Sequence, residues 1–181
     1  MTVKSQAGVE DLYAIAEKAE LVEGDVVRMS PTGDLPNTVA GEIFASLREW
    51  SRTTGSGRAY TDNVAFLVDL PHRQSFSPDV ALYQGPRSGM KFLQGAPVFA
   101  VEVRSEGDYG ARAERQMARK RADYFAAGTL VVWDVDLLGR DTVRVYRATD
   151  PTTPTVYRRG EVAEAEPAVP GWRMAVNDLF I

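Results

Sequence analysis

Apolar residues along the chain follow two different spacings, which separate predicted helices from predicted strands. Residues 8–19 and 37–52 place apolar side chains three and four positions apart, the spacing that covers one face of a helix. The same spacing predicts a third helix over residues 111–127, followed by Gly128, a residue type typical of a helix C-terminus. Residues 20–29 are instead two short apolar runs around a glycine, which predicts a hairpin.

Short apolar runs between these helices predict further strands. They cover residues 58–60, 64–70, 79–83, 98–104, 130–135 and 143–146. Polar or Gly- and Pro-rich segments at residues 71–75 and 84–95 are predicted to be loops. This order of elements predicts an α/β or α+β sandwich with a mixed sheet, formed as one domain over residues 1–181.

Glu102 is the most informative residue, because it lies near the end of the apolar strand 98–104. Side chains alternate along a strand, so Glu102 and Arg104 are expected to share one face. An unpaired carboxylate in such a strand costs about 2–5 kcal/mol, which requires a cation, a metal or a function to offset it. Asp79 follows Pro78 at the start of another predicted strand. Two acids at the ends of neighbouring strands form an arrangement that binds a divalent metal.

Composition narrows the chemistry available to this site. The chain has no cysteine and a single histidine, His72, which excludes thiolate and histidine-rich metal sites. Oxygen ligands remain, and they favour Mg²⁺ or Mn²⁺. The net charge of −4 argues against a general nucleic-acid coat, although local basic patches can still bind. The absence of cysteine and of an apolar run of about 18 residues predicts a cytoplasmic protein without a membrane partner.

A cation near the metal would steady the attacking water or the phosphate. Arg104 lies two residues after Glu102 and is one candidate. On the third predicted helix, Lys120 and Arg121 border the apolar face from opposite sides. Periodicity alone does not choose between these two.

Several segments resemble, in order and spacing, the Uma2 family of putative restriction endonucleases, within the PD-(D/E)XK nuclease superfamily. The matching segments are residues 20–24, 29–33, 78–81, 96–97, 101–105, 120–124, 127–128 and 133–136. Each segment alone is a weak signal, but their order along roughly residues 20–147 is specific. The resemblance implies a restriction-endonuclease-like core, in which a central mixed sheet is flanked by helices.

The resemblance also implies roles for individual residues. It identifies Asp79 and Glu102 as metal ligands, with the Val103 carbonyl as a third, and it makes Mg²⁺ or Mn²⁺ the expected cofactor. Lys120 would replace the lysine that the superfamily usually has two residues after the glutamate, where this chain has Arg104.

Two further features bear on how far the resemblance extends. Glu20 matches a glutamate that recurs in the family, and it is a further candidate for the catalytic site. The chain departs from the family pattern at Pro36, where a histidine is common, and at Leu137, where a proline is common. These departures concern contacts to the substrate more than the metal site.

The sequence therefore supports two main hypotheses. The first is a metal-dependent endonuclease that hydrolyses phosphodiester bonds of nucleic acid, with DNA expected. The second is an inactive nuclease-fold module that acts in binding or regulation, which the acidic net charge and Arg104 favour. A hydrolase of another phosphate-containing substrate is a third alternative. A homodimer would let one subunit engage each strand of a duplex, but the sequence leaves this open.

Overall fold

The computed structural model describes residues 6–140 and 142–180. Its helices are α1 (Val9–Tyr13), α2 (Asp34–Thr54), α3 (Ala111–Ala126) and a final 3₁₀ helix (Val176–Phe180). Its strands are β1 (Ala19–Val22), β2 (Asp25–Arg28), β3 (Arg58–Thr61), β4 (Phe66–Leu70), β5 (Arg73–Phe76), β6 (Val80–Tyr83), β7 (Leu93–Gln94), β8 (Phe99–Val103), β9 (Val131–Val135), β10 (Val143–Arg147), β11 (Asp150–Tyr157), β12 (Val162–Glu164) and β13 (Arg173–Ala175). In this part of the chain, every helix is too short or too polar to cross a bilayer.

The strands form three sheets. A central six-stranded sheet has the order β11-β10-β9-β8-β6-β3, and a side sheet of five strands has the order β2-β1-β5-β4-β7. The third sheet contains only β12 and β13. In the central sheet β8 and β9 are parallel, joined through α3, and the other pairs are antiparallel. The prediction of an α+β fold with a mixed central sheet flanked by helices is therefore confirmed.

Helix α2 covers one face of the central sheet. Its inner stripe of Val39, Ile43 and Leu47 is fully buried, as the spacing predicts. The stripe belongs to the same core cluster as Val101 of β8 and Trp133 of β9. Burial of this apolar face explains why the helix forms where its sequence pattern indicates.

Helix α3 and the side sheet cover the opposite face. Tyr124 of α3 stacks on Phe76 of β5, with ring centroids 4.0 Å apart, and both belong to a cluster with Ala100 and Val132. Side chains alternate along β8, so Glu102 points to the same face as Ala100. The carboxylate of Glu102 is thereby directed into the space between the two sheets and α3.

Three predicted elements differ from the structure. The loop predicted over residues 84–95 contains the short strand β7, which pairs with β4. The helix predicted over residues 8–19 ends at Tyr13, because Ala19 already pairs with Arg28 in the side sheet. Residues 71–75 were predicted as a loop, but β5 occupies most of this segment and pairs with both β1 and β4. Its polar residues Arg73 and Ser75 are buried and find partners in distant parts of the chain, which the local pattern does not reveal.

Candidate functional site

Glu102 is bound by two side chains of α3. Lys120 Nζ lies 2.8 Å from Glu102 Oε1 and 2.9 Å from Oε2, and the Tyr124 hydroxyl donates to Oε1 at 2.6 Å. Lys120 and Tyr124 are four residues apart, so they lie on one face of the helix. One helical face therefore fixes the Glu102 carboxylate.

Glu20 brings a second carboxylate from the side sheet to the same lysine. Its Oε1 lies 2.9 Å from Lys120 Nζ and accepts the backbone N–H of Ser77 at 2.8 Å. Its Oε2 accepts Arg73 Nη1 at 2.6 Å. Glu20 is buried, with 3% of its surface exposed. Lys120 therefore bridges carboxylates that belong to different sheets.

Asp79 lies beside Glu102 in the central sheet. Val80 of β6 pairs with Val101 of β8, and the antiparallel register puts Asp79 opposite Glu102. Asp79 Oδ2 accepts the backbone N–H of Val103 at 2.8 Å, so the strand that carries Glu102 also orients Asp79. Asp79 Oδ1 accepts Lys18 Nζ at 2.7 Å.

The carboxylates of this site differ in their pKa. Burial raises the pKa of Glu102 above its ordinary 4.5, and the charges of Asp79 and Glu20 add to this rise against the opposing effect of Lys120. Burial also acts to raise the pKa of Glu20, but Lys120, Arg73 and the Ser77 N–H outweigh it and hold that pKa below 4.5. The charge of Glu20 is therefore well compensated, whereas that of Glu102 is not.

Lys120 stays protonated at this site. Its burial acts to lower its pKa, but the carboxylates of Glu102 and Glu20 outweigh that effect and raise the pKa above the ordinary 10.5. Burial and the Glu102 carboxylate raise the pKa of Tyr124 well above 10, so its hydroxyl remains a hydrogen-bond donor.

A second layer of polar residues supports Glu20. Arg73 Nε donates to Asp123 Oδ2 at 2.8 Å, and His72 Nε2 lies 2.6 Å from Asp123 Oδ1. Arg73 thus links the carboxylate of Glu20 to that of Asp123 on α3. This link joins the side sheet to the helix directly behind the site.

Arg104 lies in a separate ionic network. Its Nε and Nη2 donate to the two oxygens of Asp134 at 2.7 and 2.8 Å, and it also contacts Glu114. Arg121 approaches the same Asp134 at 3.8 Å. Asp134 is the register partner of Glu102 on β9, so both arginines are directed one strand away from the candidate site.

The structure brings together four of the residues that the sequence singled out. Lys120 contacts both Glu102 and Glu20, and Asp79 lies next to them on the neighbouring strand, connected through the main-chain N–H of Val103. The catalytic roles of these residues stay predictions.

Sequence reasoning missed the contacts of Lys18, Tyr124 and Arg73. Tyr124 carried a usable signal, because it follows Lys120 by one helical turn. Lys18 was hidden because it fell inside the predicted first helix.

Oxygen atoms are the metal donors that this site offers. Within residues 6–140 and 142–180, no group of three or more His, Cys, Asp or Glu side chains is arranged to hold a metal ion. The predicted metal ligands are the Asp79 and Glu102 carboxylates with the main-chain carbonyl of Val103, and this assignment stays a prediction. A cavity of about 90 Å³ reaches Asp79, and polar side chains of Asn37 and Asp62 contribute to its wall.

Comparisons with known proteins agree with this fold. Residues 9–177 match the family model described as "Uma2: Putative restriction endonuclease". A crystal structure from Anabaena variabilis, described as a putative nuclease belonging to DUF820, superposes with a TM-score of 0.76 at 15% sequence identity, covering 96% of this chain and 97% of that one. No curated protein matches the chain. The family match covers most of the chain, and the protein therefore belongs to the Uma2 family of putative restriction endonucleases.

Proposed function

We propose that the protein is a metal-dependent nuclease that hydrolyses phosphodiester bonds of nucleic acid, with DNA as the expected substrate. The observation that carries this proposal is the meeting of Asp79, Glu102 and Lys120 at one end of the central sheet. These residues come from two strands and a helix, and Lys120 Nζ lies 2.8 Å from Glu102. Membership of a family described as restriction endonucleases supports the same reaction class.

The donor set fits Mg²⁺ or Mn²⁺. These ions prefer oxygen ligands, and Mg²⁺ commonly uses one or two carboxylates while it keeps several waters. Burial, together with the charges of Asp79 and Glu20, raises the pKa of Glu102 against the opposing effect of Lys120, so a bound cation would favour its ionised form. The cavity at Asp79 has a mixed polar and apolar lining and a volume of about 90 Å³, enough for more than one water molecule beside that carboxylate. Asp79, Glu102 and the Val103 carbonyl would hold the ion.

The side chains around this donor set have distinct tasks. A divalent ion supplies a bound water of lowered pKa and neutralises charge on a phosphate oxygen. Lys120 acts as a donor and a fixed positive charge, because its raised pKa keeps it protonated and unable to serve as a base. Glu20 contacts Lys120 at 2.9 Å and positions it. Tyr124 orients Glu102 from the opposite end of the same helical turn.

Arg104 has no step in this mechanism. Its guanidinium is 1% exposed and donates to Asp134 and Glu114. We assign it a structural role at the ends of β8 and β9.

Cleavage assays on isosteric variants test the proposal. Asp79→Asn and Glu102→Gln should each lower Mg²⁺-dependent cleavage of DNA by at least about 100-fold, while circular dichroism shows that both variants remain folded at the assay temperature. Glu49→Gln, an exposed carboxylate on α2, is the matched control and should cleave like wild type. A parallel panel of RNA and nucleotides identifies the substrate class. Cleavage retained in either site variant would contradict the assignment.

A nuclease-fold module that binds nucleic acid without cleaving it is the second candidate. The contacts of Lys18 with Asp79 and of Lys120 with Glu102 favour it, because an ammonium group already contacts each carboxylate. Calorimetric titration with Mn²⁺ separates the two functions. A nuclease should bind Mn²⁺ measurably and lose that binding in Glu102→Gln, whereas the inactive module should show no binding in either protein.

A further inference from the structure

Lys18 is the second lysine that contacts a carboxylate of the proposed metal site. Its Nζ lies 2.7 Å from Asp79 Oδ1 and 2.5 Å from Asp62 Oδ1, and 14% of its side chain is exposed. Its carbonyl accepts the backbone N–H of Met29 at 2.9 Å, so the β1–β2 hairpin fixes its main chain. The ammonium group therefore occupies an oxygen that a metal ion bound to Asp79 would need.

Lys18 and Lys120 differ in the partners that they hold. Both partners of Lys120, Glu102 and Glu20, belong to the site itself. Lys18 has one partner in the site and one at its mouth, since the Asp62 side chain is 38% exposed and borders the cavity beside Asp79. Lys18 can consequently leave Asp79 and still keep a carboxylate partner.

We propose that Lys18 is a tethered counter-ion that holds Asp79 in the metal-free protein and competes with the divalent ion for it. The inference rests on the proposed function, because competition requires a metal that binds Asp79. Once the metal is bound, Lys18 releases Asp79 Oδ1 and keeps Asp62. Lys18 thus orients Asp79 beforehand and lowers the affinity of the site for the metal.

The charge state of Lys18 is consistent with this role. Its burial acts to lower its pKa, but the carboxylates of Asp79 and Glu102 raise the pKa above the ordinary 10.5. The ammonium group is therefore charged at neutral pH. A compact positive charge 2.7 Å from a carboxylate oxygen is a direct competitor for a metal ion at that oxygen.

Calorimetric titration with Mn²⁺ tests the competition on the full chain. Removal of the ammonium group in Lys18→Met should tighten Mn²⁺ binding by about three- to fivefold, the upper part of the range for a partly exposed ion pair. Lys91→Met is the matched control, since it removes the same charge from an exposed lysine that packs over the Tyr13 ring. Its Mn²⁺ affinity should remain within about twofold of wild type. Lys18→Gln repeats the measurement if the methionine variant does not fold.

A double-mutant cycle with Asp62 separates competition from a general effect of charge. If Lys18 keeps its ion pair with Asp62 when the metal binds, Asp62→Asn should weaken Mn²⁺ binding in the wild-type background. The same substitution should weaken Mn²⁺ binding less in the Lys18→Met background. Equal effects in both backgrounds would overturn the inference, because simple charge effects add. A larger effect in Lys18→Met would also overturn it, since Asp62 would then bind the metal itself.

The outcomes distinguish this inference from the proposed function. Mn²⁺ binding that is lost in Glu102→Gln but is not tightened in Lys18→Met overturns the role of Lys18 and leaves the metal site in place. Binding in Lys18→Met but not in wild type would support the inference in its strongest form. The absence of Mn²⁺ binding in both proteins overturns the metal site and the competition together.

Discussion

Replacing Tyr124 with phenylalanine isolates one hydrogen bond of the site. The Tyr124 side chain is fully buried, and its ring stacks on Phe76 with centroids 4.0 Å apart. Phenylalanine preserves this stacking and removes only the hydroxyl that donates to Glu102 Oε1 at 2.6 Å. The variant therefore reports the energy of a contact to the proposed metal ligand.

The size of the effect follows from the charge of the acceptor. A hydrogen bond to a charged group contributes about 1.5–3 kcal/mol to stability, against about 0.5–1.5 kcal/mol for a neutral pair. Lys120 still contacts both Glu102 oxygens in the variant, which places the expected loss near the lower end, at about 1.5–2 kcal/mol. Tyr83→Phe is the matched control, because the buried Tyr83 hydroxyl donates to the neutral backbone carbonyl of Gln94 at 2.5 Å.

The loss of unfolding free energy in Tyr124→Phe should also depend on pH. The pKa of Glu102 is raised in the folded protein, so between 4.5 and that pKa the folded state binds more protons and stability falls as pH rises. Removing the Tyr124 hydroxyl raises this pKa further, because it removes a bond that favours the charged form. The difference between variant and wild type should therefore be smallest below pH 4.5 and largest above the folded pKa.

Urea unfolding in EDTA measures these free energies without metal. Wild type, Tyr124→Phe and Tyr83→Phe are compared at pH 4 and pH 7.5, and the slope with urea checks that all three unfold in the same manner. A loss in Tyr124→Phe at pH 7.5 that does not exceed the loss in Tyr83→Phe would refute the reasoning. Equal losses at the two pH values would also refute it, since the acceptor would not then be a titrating carboxylate.

Three other measurements test the surroundings of the site. Glu20→Gln should lower the free energy of unfolding by about 3 kcal/mol near neutral pH, since Arg73 loses a buried charged partner. The pKa of Glu20 in the folded protein lies below 4.5, so this loss, measured by urea unfolding, should shrink as the pH falls through that pKa. Arg104→Leu should cost about 3 kcal/mol, because Asp134 loses both hydrogen bonds to the guanidinium and keeps only the longer contacts of Arg121 and Arg144, while calorimetry shows unchanged Mn²⁺ affinity. Mn²⁺ at about 100 times its Kd should stabilise the protein by about 2.7 kcal/mol, an effect absent in Glu102→Gln by thermal unfolding.

Elements with one continuous apolar face were predictable from the sequence. In α2, Val39, Ile43 and Leu47 are fully buried, and their spacing indicates this before any tertiary contact is known. The order of Asp79, Glu102 and Lys120 along the chain likewise led to a cluster that the structure contains. These features could be predicted because they depend on local periodicity or on a sequence pattern that the family shares.

Features that depend on distant partners were not predictable. Arg73 and Ser75 make β5 appear polar and loop-like, yet both are buried because Glu20 and Asp123 provide partners for Arg73. Lys18 lies within the first predicted helix, residues 8–19. In the structure the next residue, Ala19, pairs with Arg28 of β2, so this part of the chain forms a hairpin instead. Tertiary context overrides local propensity at both positions.

The charges of the cluster explain why a divalent ion suits it. The carboxylates are Glu20, Asp62, Asp79 and Glu102, and the ammonium groups are Lys18 and Lys120. Arg73 and Asp123 cancel, so four carboxylates against two ammonium groups leave two negative charges. Without metal, burial raises the pKa of Glu102 and the neighbouring carboxylates of Asp79 and Glu20 add to the rise, because protonation removes one of the charges. The proposed divalent ion would offset both charges while Glu102 stays ionised, and in the proposed exchange Lys18 would keep Asp62.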